Sequence, residues 1–279
     1  VLVRVRATPV TAGDARLRSG NVPRGLGVML RAAIGWQRPR VSPGWAFAGE
    51  IAAIGPGATA FHPGQRVFGL TGFRGGAHRE YLTIRADGSI LPLPAPLTFA
   101  EGAAFFFGGL TAAEFLIDRA ELRAGERVLV NGATGAVGCA ALQIARHIGA
   151  ETVAIASEPN HALARSLGAG RVHDYRLGPP KGQFDVVVDV IGTLGWAGAA
   201  PLLAPGGRLL LITADLPAML GAMVRPYRAG RRIITGTSRE DLSAMRRLVT
   251  LHEAGAYRPI VGQTLPFALL RRAHAVAES

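Results

Sequence analysis

RVLVNGATGAVG, at residues 127–138, combines an apolar strand pattern with a glycine-rich turn that runs directly into an apolar helix pattern. Small residues at Ala133 and Gly135 let the backbone approach a pyrophosphate, and Gly138 lets the helix pack against the strand. The helix start adds free N–H groups and a partial positive charge. The spacing Ala-x-Gly-x-x-Gly therefore predicts a dinucleotide-binding turn, although tight strand-to-helix turns also need glycine for purely structural reasons.

Strand and helix patterns alternate around this turn and beyond it. Apolar strand patterns recur in TVAIAS, RVHDY, FDVVVDVIG, GRLLLIT and RIITGT, and helix patterns lie between several of them. Continuous Val, Ile and Leu strands joined by helices are typical of a parallel sheet that is covered on both faces. We therefore predict a doubly wound, Rossmann-type α/β domain that binds NAD(P) and spans residues 101–240.

The first hundred residues show a different organisation. VLVRVRA, FAGEIAAIG, QRVFGL and AHREYLTI are typical of short β segments, and Pro-Gly and Gly-Gly turns separate them. They predict a small, mainly β domain over residues 1–100. Thr98 and Glu101, three residues apart, form the capping-box pattern of a helix that opens the second domain.

The C-terminal part of the chain is expected to complete the first domain, over about residues 241–279. Residues 239–255 predict an amphipathic helix, 259–267 a strand and 268–279 a last helix.

The composition limits the function classes. The chain has 279 residues, and its net charge of +12 comes almost entirely from arginine, with Lys181 as the single lysine. The cations are scattered, as on a solvated basic surface, so no nucleic-acid partner is expected. A non-catalytic nucleotide-binding or RNA-binding protein stays open as the alternative from another class.

Membrane insertion and disulfide formation are also not expected. No apolar run approaches the roughly 20 residues that span a bilayer. The single cysteine, Cys139, excludes an internal disulfide and fits a cytoplasmic protein.

TVAIASEPN, at residues 152–160, bears on the choice of cofactor. An acidic residue at the end of this strand accepts hydrogen bonds from the ribose 2′-hydroxyl and repels a 2′-phosphate. Here the strand ends near Ser157, whose hydroxyl can donate to a phosphate, and Glu158 follows one residue later. Ser157 and Arg176 therefore favour NADPH, while Glu158 keeps NADH open; an N-cap role is the alternative for Ser157.

Further motifs accompany the nucleotide turn in order along the chain: ATPVTAGDARLRSG at residues 7–20, PGWAFAGEIAAIGPGATAFHPGQRVFG at 43–69, GGAHREYLTI at 75–84, GGLTAAEFL at 108–116 and FDVVVDVIG at 184–192. Together they resemble the medium-chain dehydrogenase/reductase superfamily, and within it the zinc-independent branch of quinone oxidoreductase-like and enoyl reductase-like enzymes. The resemblance covers essentially the whole chain. It implies a GroES-like, mainly β catalytic domain beside the Rossmann domain.

The resemblance implies that there is no metal site. The zinc alcohol dehydrogenases of this superfamily bind catalytic zinc through two cysteines and a histidine, and the matching positions here are Thr11, Trp45 and Phe107. None of these residues is a good zinc ligand. His62 and His78 are the remaining candidates, and a turn or strand-surface position explains each of them.

The implied activity is that of a zinc-independent, NADPH-dependent oxidoreductase that transfers hydride to a quinone or an α,β-unsaturated carbonyl compound. Without a Lewis acid, hydride delivery suits a small hydrophobic acceptor that is already polarised, and the protein contributes orientation and a dry cleft. An NAD(P)-dependent alcohol dehydrogenase or carbonyl reductase of the same fold is the enzymatic alternative.

The implied catalytic residues are Thr11 and Asp14, on a loop at the cleft between the domains. Thr11 takes a place that asparagine usually fills in the zinc-independent branch, and Asp14 has the alternative role of a loop-capping carboxylate. The cofactor site carried over from the family lies at the C-terminal ends of the parallel strands, where doubly wound sheets bind ligands. Its residues are Thr111, Ala133, Thr134, Gly135, Ala136, Val137, Ser157, Tyr175, Arg176, Ile191, Gly192, Ile212 and Thr213; an ordinary helix position is the alternative for Thr111.

Three expectations concern the rest of the chain. Residues 21–40 are expected near the cleft mouth, where their apolar face helps to select a hydrophobic substrate or packs between domains or subunits. A homodimer stays open. Family members carry further residues before VLVRVRA and a glycine-lysine strand after the last helix, so a fragment or shortened chain with lower stability or cofactor affinity is expected.

Overall fold

The computed structural model describes residues 1–20, 22–27, 42–72 and 75–278, which form two sheets. The first sheet is antiparallel throughout, in the order β4-β1-β2-β3-β5. Its inner face buries Val3, Phe47, Ile51 and Val67, which pack in one apolar cluster. The strands are β1 Leu2–Ala7, β2 Ala46–Ala53, β3 Arg66–Leu70, β4 Tyr81–Thr83 and β5 Ile90–Pro92.

The second sheet confirms the predicted doubly wound domain. Its order is β11-β12-β10-β9-β6-β7-β8, and all neighbours are parallel except the edge pair β11 and β12. The chain therefore reverses direction across the sheet between β6 and β9, which is where such sheets bind ligands. The strands are β6 Arg127–Asn131, β7 Glu151–Ile155, β8 Arg171–His173, β9 Phe184–Asp189, β10 Leu203–Leu211, β11 Tyr227–Arg228 and β12 Arg231–Thr235.

Helices connect and cover both sheets. They are α1 Ala12–Ser19, α2 Phe99–Ala113, α3 Ala136–Ile148, α4 His161–Ser166, α5 Gly195–Ala199, α6 Leu216–Val224, α7 Leu242–Glu253 and α8 Leu270–Glu278. A π-helical turn, Glu114–Arg119, continues α2, and short 3-10 turns cover Glu158–Asn160, Tyr175–Leu177, Ala200–Leu202 and Phe267–Leu269.

α2 joins the two halves of the molecule. Its N-terminus has the predicted capping box, in which Thr98 and Glu101 bond each other's backbone N–H groups. Phe105 and Phe106 pack against Phe68 of β3, with ring centroids 5.2 and 4.6 Å apart. By length and composition alone the helix over Phe99–Arg119 would pass as a membrane span, but 67% of its apolar window is buried, as in a core helix.

The C-terminal segment returns to the first domain. α7 packs on α2, and α8 packs on α1, where Arg18 and Glu278 form an ion pair. The strand predicted over residues 259–267 is wrong: residues 259–266 have no regular structure, since no strand of the described chain pairs with them and a strand needs hydrogen bonds from a neighbour. For the cleft-mouth segment 21–40, only residues 22–27 lie within the described part.

Candidate functional site

The nucleotide turn leaves several backbone N–H groups free. Gly132 follows β6 with a φ of +78°, in the left-handed region that glycine adopts without strain. α3 has Gly135 as its N-cap, with no side-chain cap; the Gly135 N–H donates to Gly132 O at 3.2 Å, and the Cys139 N–H donates to Gly135 O at 2.8 Å. The N–H groups of Ala136 and Val137 therefore have no partner among the described residues, and they fit the oxygens of a pyrophosphate.

Close packing explains why Gly138 is needed in this turn. A Cβ at Gly138 would lie 2.2 Å from Gly132 O and 2.7 Å from the Ala133 backbone. At Gly135, by contrast, a Cβ would meet only Gly132 O, at 3.6 Å, so the space in front of Gly135 is open. Gly138 therefore serves the fold, whereas Gly135 keeps the helix start accessible.

A buried carboxylate shapes the loop on the other side of the turn. Asp189, at the end of β9, is fully buried and accepts hydrogen bonds from the N–H groups of Gly192, Leu194 and Gly195 at 2.9–3.0 Å. The side-chain amide of Asn131 donates to the same carboxylate at 2.8 Å. This network sets the positions of Ile191 and Gly192, and sequence reasoning missed it although Asp189 stands inside the quoted motif FDVVVDVIG.

A cleft of about 910 Å³ lies between the two domains and contains much of the predicted site. β1 and α1 form one wall, α2 another, and the loops after β6, β9 and β10 the third. The structure brings together there Thr11, Thr111, Gly135, Ala136, Val137, Ile191, Ile212 and Thr213. Ala133 and Thr134, in the turn after β6, do not line the cleft, and neither does Gly192, in the loop after β9.

Thr11 and Asp14 form the capping box at the start of α1. The Thr11 hydroxyl donates to Asp14 Oδ2 at 2.7 Å, and the Thr11 N–H donates to the same oxygen at 3.0 Å. The other carboxylate oxygen of Asp14 accepts from the Gly44 N–H at 2.9 Å. Asp14 is only 1% exposed and does not line the cleft, so it is a positioning residue for Thr11, as in the loop-capping alternative.

The three positions that match zinc ligands in the zinc alcohol dehydrogenases meet around Gly13. A Cβ placed on Gly13 would lie 3.4 Å from the Thr11 hydroxyl, 3.6 Å from the Trp45 ring and 3.3 Å from the Phe107 ring. They offer one hydroxyl and two aromatic rings, which is not a donor set for zinc. In the part of the chain that the structure describes, no three His, Cys, Asp or Glu residues are grouped so that they could hold a metal ion.

The two histidines considered as ligands have other contacts. His62 Nδ1 lies 3.1 Å from Pro63 O within a turn, and His78 Nε2 lies 3.0 Å from Pro9 O. His78 also packs edge-to-face against His274 of α8, with ring centroids 5.4 Å apart. Both histidines therefore have structural contacts at the surface and at the α1–α8 junction.

Thr111 combines a helix position with a place in the cleft wall. Its hydroxyl donates to Phe107 O at 3.1 Å, one turn earlier in α2, and lies 3.2 Å from the Ser238 hydroxyl. The loop that carries Ser238 also lines the cleft and follows β12. Thr111 therefore occupies an ordinary helix position and also lines the cleft, and its contact with the nicotinamide stays a prediction.

A buried ion pair fixes this loop against α2, and sequence reasoning missed it. Arg119 donates to Glu114 at 2.7 Å across the π-helical turn and to the carbonyl oxygen of Thr235 at 3.0 Å. Burial alone would raise the pKa of Glu114, but hydrogen bonds from the Arg239 N–H and from Arg119 outweigh it and lower the pKa. The five-residue spacing of Glu114 and Arg119 was the only local sign, and it matches a π turn.

At the predicted adenosine end, the residue expected to contact a phosphate already has carboxylate partners. Arg176 Nη2 donates to Asp174 Oδ2 at 2.6 Å and lies 3.3 Å from Glu158 Oε2. The hydrogen bond with Arg176 lowers the pKa of Asp174, and the same bond raises the pKa of Arg176. Ser157 is the N-cap residue of a 3-10 turn, but its hydroxyl accepts from the Asn160 side chain at 3.1 Å and does not cap the backbone.

This end of the site therefore holds one guanidinium and two carboxylates. Tyr175, which precedes Arg176, is 60% exposed and has room to cover a flat ring. A 2′-phosphate here would compete with Asp174 and Glu158 for Arg176, whereas a 2′-hydroxyl would find acceptors.

The sequence is similar to known dehydrogenases along most of its length. A family model for the alcohol dehydrogenase GroES-like domain matches residues 1–95, and one for zinc-binding dehydrogenase matches residues 167–279. The quinone oxidoreductase of Lama guanicoe is 30% identical over 290 residues, which cover 98% of this chain and 83% of the relative.

Solved structures show the same fold. The quinone oxidoreductase from Coxiella burnetii superposes with a TM-score of 0.83 at 24% identity, over 99% of this chain and 86% of that one. A mycobacterial protein complexed with NADPH gives a TM-score of 0.75 at 25% identity, over 100% of this chain and 87% of that one. The predicted pairing of a GroES-like domain with a Rossmann-type domain is thereby confirmed.

Proposed function

Because the chain belongs to the medium-chain dehydrogenase/reductase superfamily, in its quinone oxidoreductase-like branch, and is an NAD(P)H-dependent oxidoreductase, we propose that it reduces a quinone or an α,β-unsaturated carbonyl compound with NADPH and without zinc. The observation that carries this proposal is the meeting of Thr11, Trp45 and Phe107 around Gly13. The place that would hold a catalytic metal in zinc relatives instead contains two aromatic rings, of which that of Phe107 lines the cleft.

The residues present fit a nicotinamide dinucleotide. The free N–H groups of Ala136 and Val137 would bind its pyrophosphate, and Thr111, Ile191 and Thr213 would surround its nicotinamide end. When bound, the cofactor supplies a hydride. The chain contributes a cleft whose walls would orient an acceptor, with the Thr11 hydroxyl as a polar contact whose orientation Asp14 sets.

This environment suits an acceptor that is polarised before it binds. Aromatic rings stand at two of the three positions that match metal ligands, and Phe107 lines the cleft. An enone or a quinone delocalises the incoming electron pair onto its own oxygen, whereas an isolated aldehyde needs stronger electrophilic help. The cleft composition therefore favours the first two classes.

NADPH is the proposed cofactor; some residues near the end of β7 favour it over NADH, and others oppose it. Ser157 follows β7 where a carboxylate would accept bonds from a 2′-hydroxyl, and Arg176 supplies a guanidinium nearby. Glu158 and Asp174 act against it, because both carboxylates contact Arg176. The ratio of KM values for NADPH and NADH tests the choice, and a lower KM for NADH would refute it.

Oxidation of NADPH, followed at 340 nm with quinones, enones and aldehydes of matched size, tests the activity. We expect turnover of quinones or enones that survives prolonged dialysis against a chelator. Turnover of aldehydes alone would favour the carbonyl reductase alternative, and loss of activity that zinc restores would refute zinc independence. Tight NADPH binding without any turnover would favour a non-catalytic protein, and a salt-sensitive RNA shift would favour RNA binding.

The proposal also includes the domain boundaries, the cellular compartment and the oligomeric state. The domains are residues 1–100 together with 241–279, and residues 101–240. The enzyme acts in the cytoplasm, since its single cysteine cannot form an internal disulfide and so requires no oxidising compartment. A homodimer is tested by light scattering of the purified chain at several concentrations.

A further inference from the structure

A second cavity of about 940 Å³ adjoins the cleft on the side of the β10–β12 edge. The loops after β9 and β10, α6, the β11–β12 hairpin and residues Val22 and Pro23 enclose it. Its apolar lining includes Leu211 and Ile233 from one face of the sheet, together with Trp196 of α5. The proposed hydride transfer uses only the wall that this cavity shares with the cleft.

The rim of the second cavity is cationic. Arg16, Arg225 and Arg228 line it, and Asp215 is the one carboxylate among the lining residues. Asp215 caps α6 by accepting from the Ala218 N–H at 2.9 Å. Among the described residues none of the three arginines forms an ion pair; Arg228 instead lies over the Trp196 ring, 5.1 Å from its centroid.

The three rim arginines differ from the arginines that hold carboxylates elsewhere on the surface. Arg119, Arg208 and Arg258, for example, each hold a carboxylate at 2.6–2.7 Å. Three guanidinium groups against one carboxylate leave an excess of positive charge over an apolar floor. That combination binds an anionic group attached to an apolar body, because the guanidinium fork matches carboxylate and phosphate oxygens.

The second cavity and the cleft share one wall. Arg16, Ile191 and Thr213 line both spaces. The contact across this wall is weak, since Arg16 Nη1 lies 3.4 Å from the Thr213 hydroxyl, which already donates to Val190 O at 2.8 Å. A ligand that draws Arg16 toward its own anion would open the passage at small cost.

We propose that the second cavity binds the anionic end of the substrate, a carboxylate or a phosphate on an apolar chain, while the reactive double bond lies in the cleft beside Thr11. This inference rests on the proposed function, of which it defines the substrate class. Arg225 and Arg228 are then specificity-determining residues at the far end of the site, and Arg16 stands between the anion and the reacting carbons.

The phosphates of the cofactor are not the anions of this cavity. The pyrophosphate site lies at the start of α3, after β6, and the adenosine end lies beside β7 and β8. In the sheet order, β8 and β11 are at opposite edges. One extended dinucleotide cannot place its adenosine at β8 and also fill the cavity beside β11.

Binding without turnover is the first test. Decanoate, decyl phosphate and decanol are titrated into the full chain without cofactor, with Trp196 fluorescence as the signal and Trp196→Phe as the blank. We expect each anion to bind about tenfold more tightly than decanol, with the difference shrinking at high salt. A preference for decyl phosphate alone identifies a phosphate end, and equal preference for both anions identifies a general anion site; equal binding of all three probes overturns the proposal.

Two changes test whether the probes bind in the second cavity: one removes the rim charges, and the other fills the cavity. Arg225→Gln with Arg228→Gln should abolish the roughly tenfold preference for the anions, whereas Arg24→Gln with Arg165→Gln, which removes the same charge at exposed positions outside the cavity, should keep it. Gly221→Leu fills the cavity from α6, where a Cβ meets nothing within 4 Å, and should weaken all three probes while both arginines remain. Circular dichroism melting confirms that each variant is folded.

The turnover arm separates this inference from the proposed function. Enones with and without a terminal carboxylate are compared at saturating NADPH, and Arg225→Gln with Arg228→Gln should lower kcat/KM about tenfold for the carboxylate enone only. A rise in the KM for NADPH with no change in substrate preference would overturn the inference. If anions bind beside Trp196 but the protein reduces none of the acceptors, the anion site is supported and the proposed reductase activity is refuted.

Discussion

Alanine at Gly135 and at Gly138 should have opposite consequences, although the two glycines stand three residues apart in one turn. At Gly138 the new Cβ would lie 2.2 Å from Gly132 O and 2.7 Å from Ala133 backbone atoms, none of which can rotate away. Such overpacking costs up to about 3 kcal/mol. In a chain of this size about 3 kcal/mol corresponds to a fall in Tm of roughly 6–12 °C.

At Gly135 the new methyl group would meet only Gly132 O, at 3.6 Å, and the φ of −77° suits alanine. The free energy of unfolding should therefore change by less than about 1 kcal/mol, or less than about 4 °C in Tm. The methyl group would stand before the free N–H groups of α3, however. Loss of charge-assisted hydrogen bonds from those groups should weaken NADPH binding by about tenfold to a hundredfold.

Thermal melting without cofactor and titration with NADPH measure the two effects separately. Gly221→Ala, which adds a methyl group to an open helix position, is the control and should change neither quantity much. Equal melting temperatures for the Gly135 and Gly138 variants would refute the packing argument. Unchanged NADPH affinity in Gly135→Ala would refute the assignment of this helix start to the pyrophosphate.

Three further predictions address the adenosine end, the α1–α8 junction and the cysteine. Glu158→Gln removes a carboxylate that contacts Arg176 and repels a 2′-phosphate by roughly 1 kcal/mol. The KM for NADPH should therefore fall about fivefold while the KM for NADH stays constant. A lower KM for NADH with an unchanged KM for NADPH would contradict this. Burial, together with His78 and Arg18, lowers the pKa of His274 against the attractions of Asp14 and Glu278, so the unfolded chain binds more protons, and Tm should fall as pH drops through about 6.5. His274→Gln should flatten that pH dependence, and an unchanged slope would exclude His274 as its source. Burial raises the pKa of Cys139 to about 11, so iodoacetamide at pH 7.5 should label the native chain far more slowly than the denatured chain; equal labelling rates would contradict the buried position.

Local patterns were enough for the features that depend on neighbours in sequence. The turn after β6 follows from small residues at fixed spacing, and the capping box of α2 follows from Thr98 and Glu101, which lie three residues apart. The alternation of apolar strands and helices was sufficient for the parallel sheet, because side-chain periodicity reflects the faces that each element buries.

Contacts between residues that are distant in the sequence could not be predicted from local patterns. Residues 259–267 have the composition of a strand, but a strand forms only where another edge supplies hydrogen bonds, and in the described chain none does. Arg176 is predicted as a phosphate contact, but its hydrogen bonds to Asp174 and Glu158 depend on how the turns after β7 and β8 approach each other.

The sequence by itself determined the class of fold, the dinucleotide turn and the family, since each rests on residue types at short, ordered spacings. The tertiary structure alone decided which side chains share a space. It brought Thr11, Trp45 and Phe107 around Gly13, turned Asp14 away from the cleft, and placed Arg16 beside Arg225 and Arg228. The physical reason is that contacts between residues far apart in the sequence depend on how whole elements pack, and no local pattern encodes that packing.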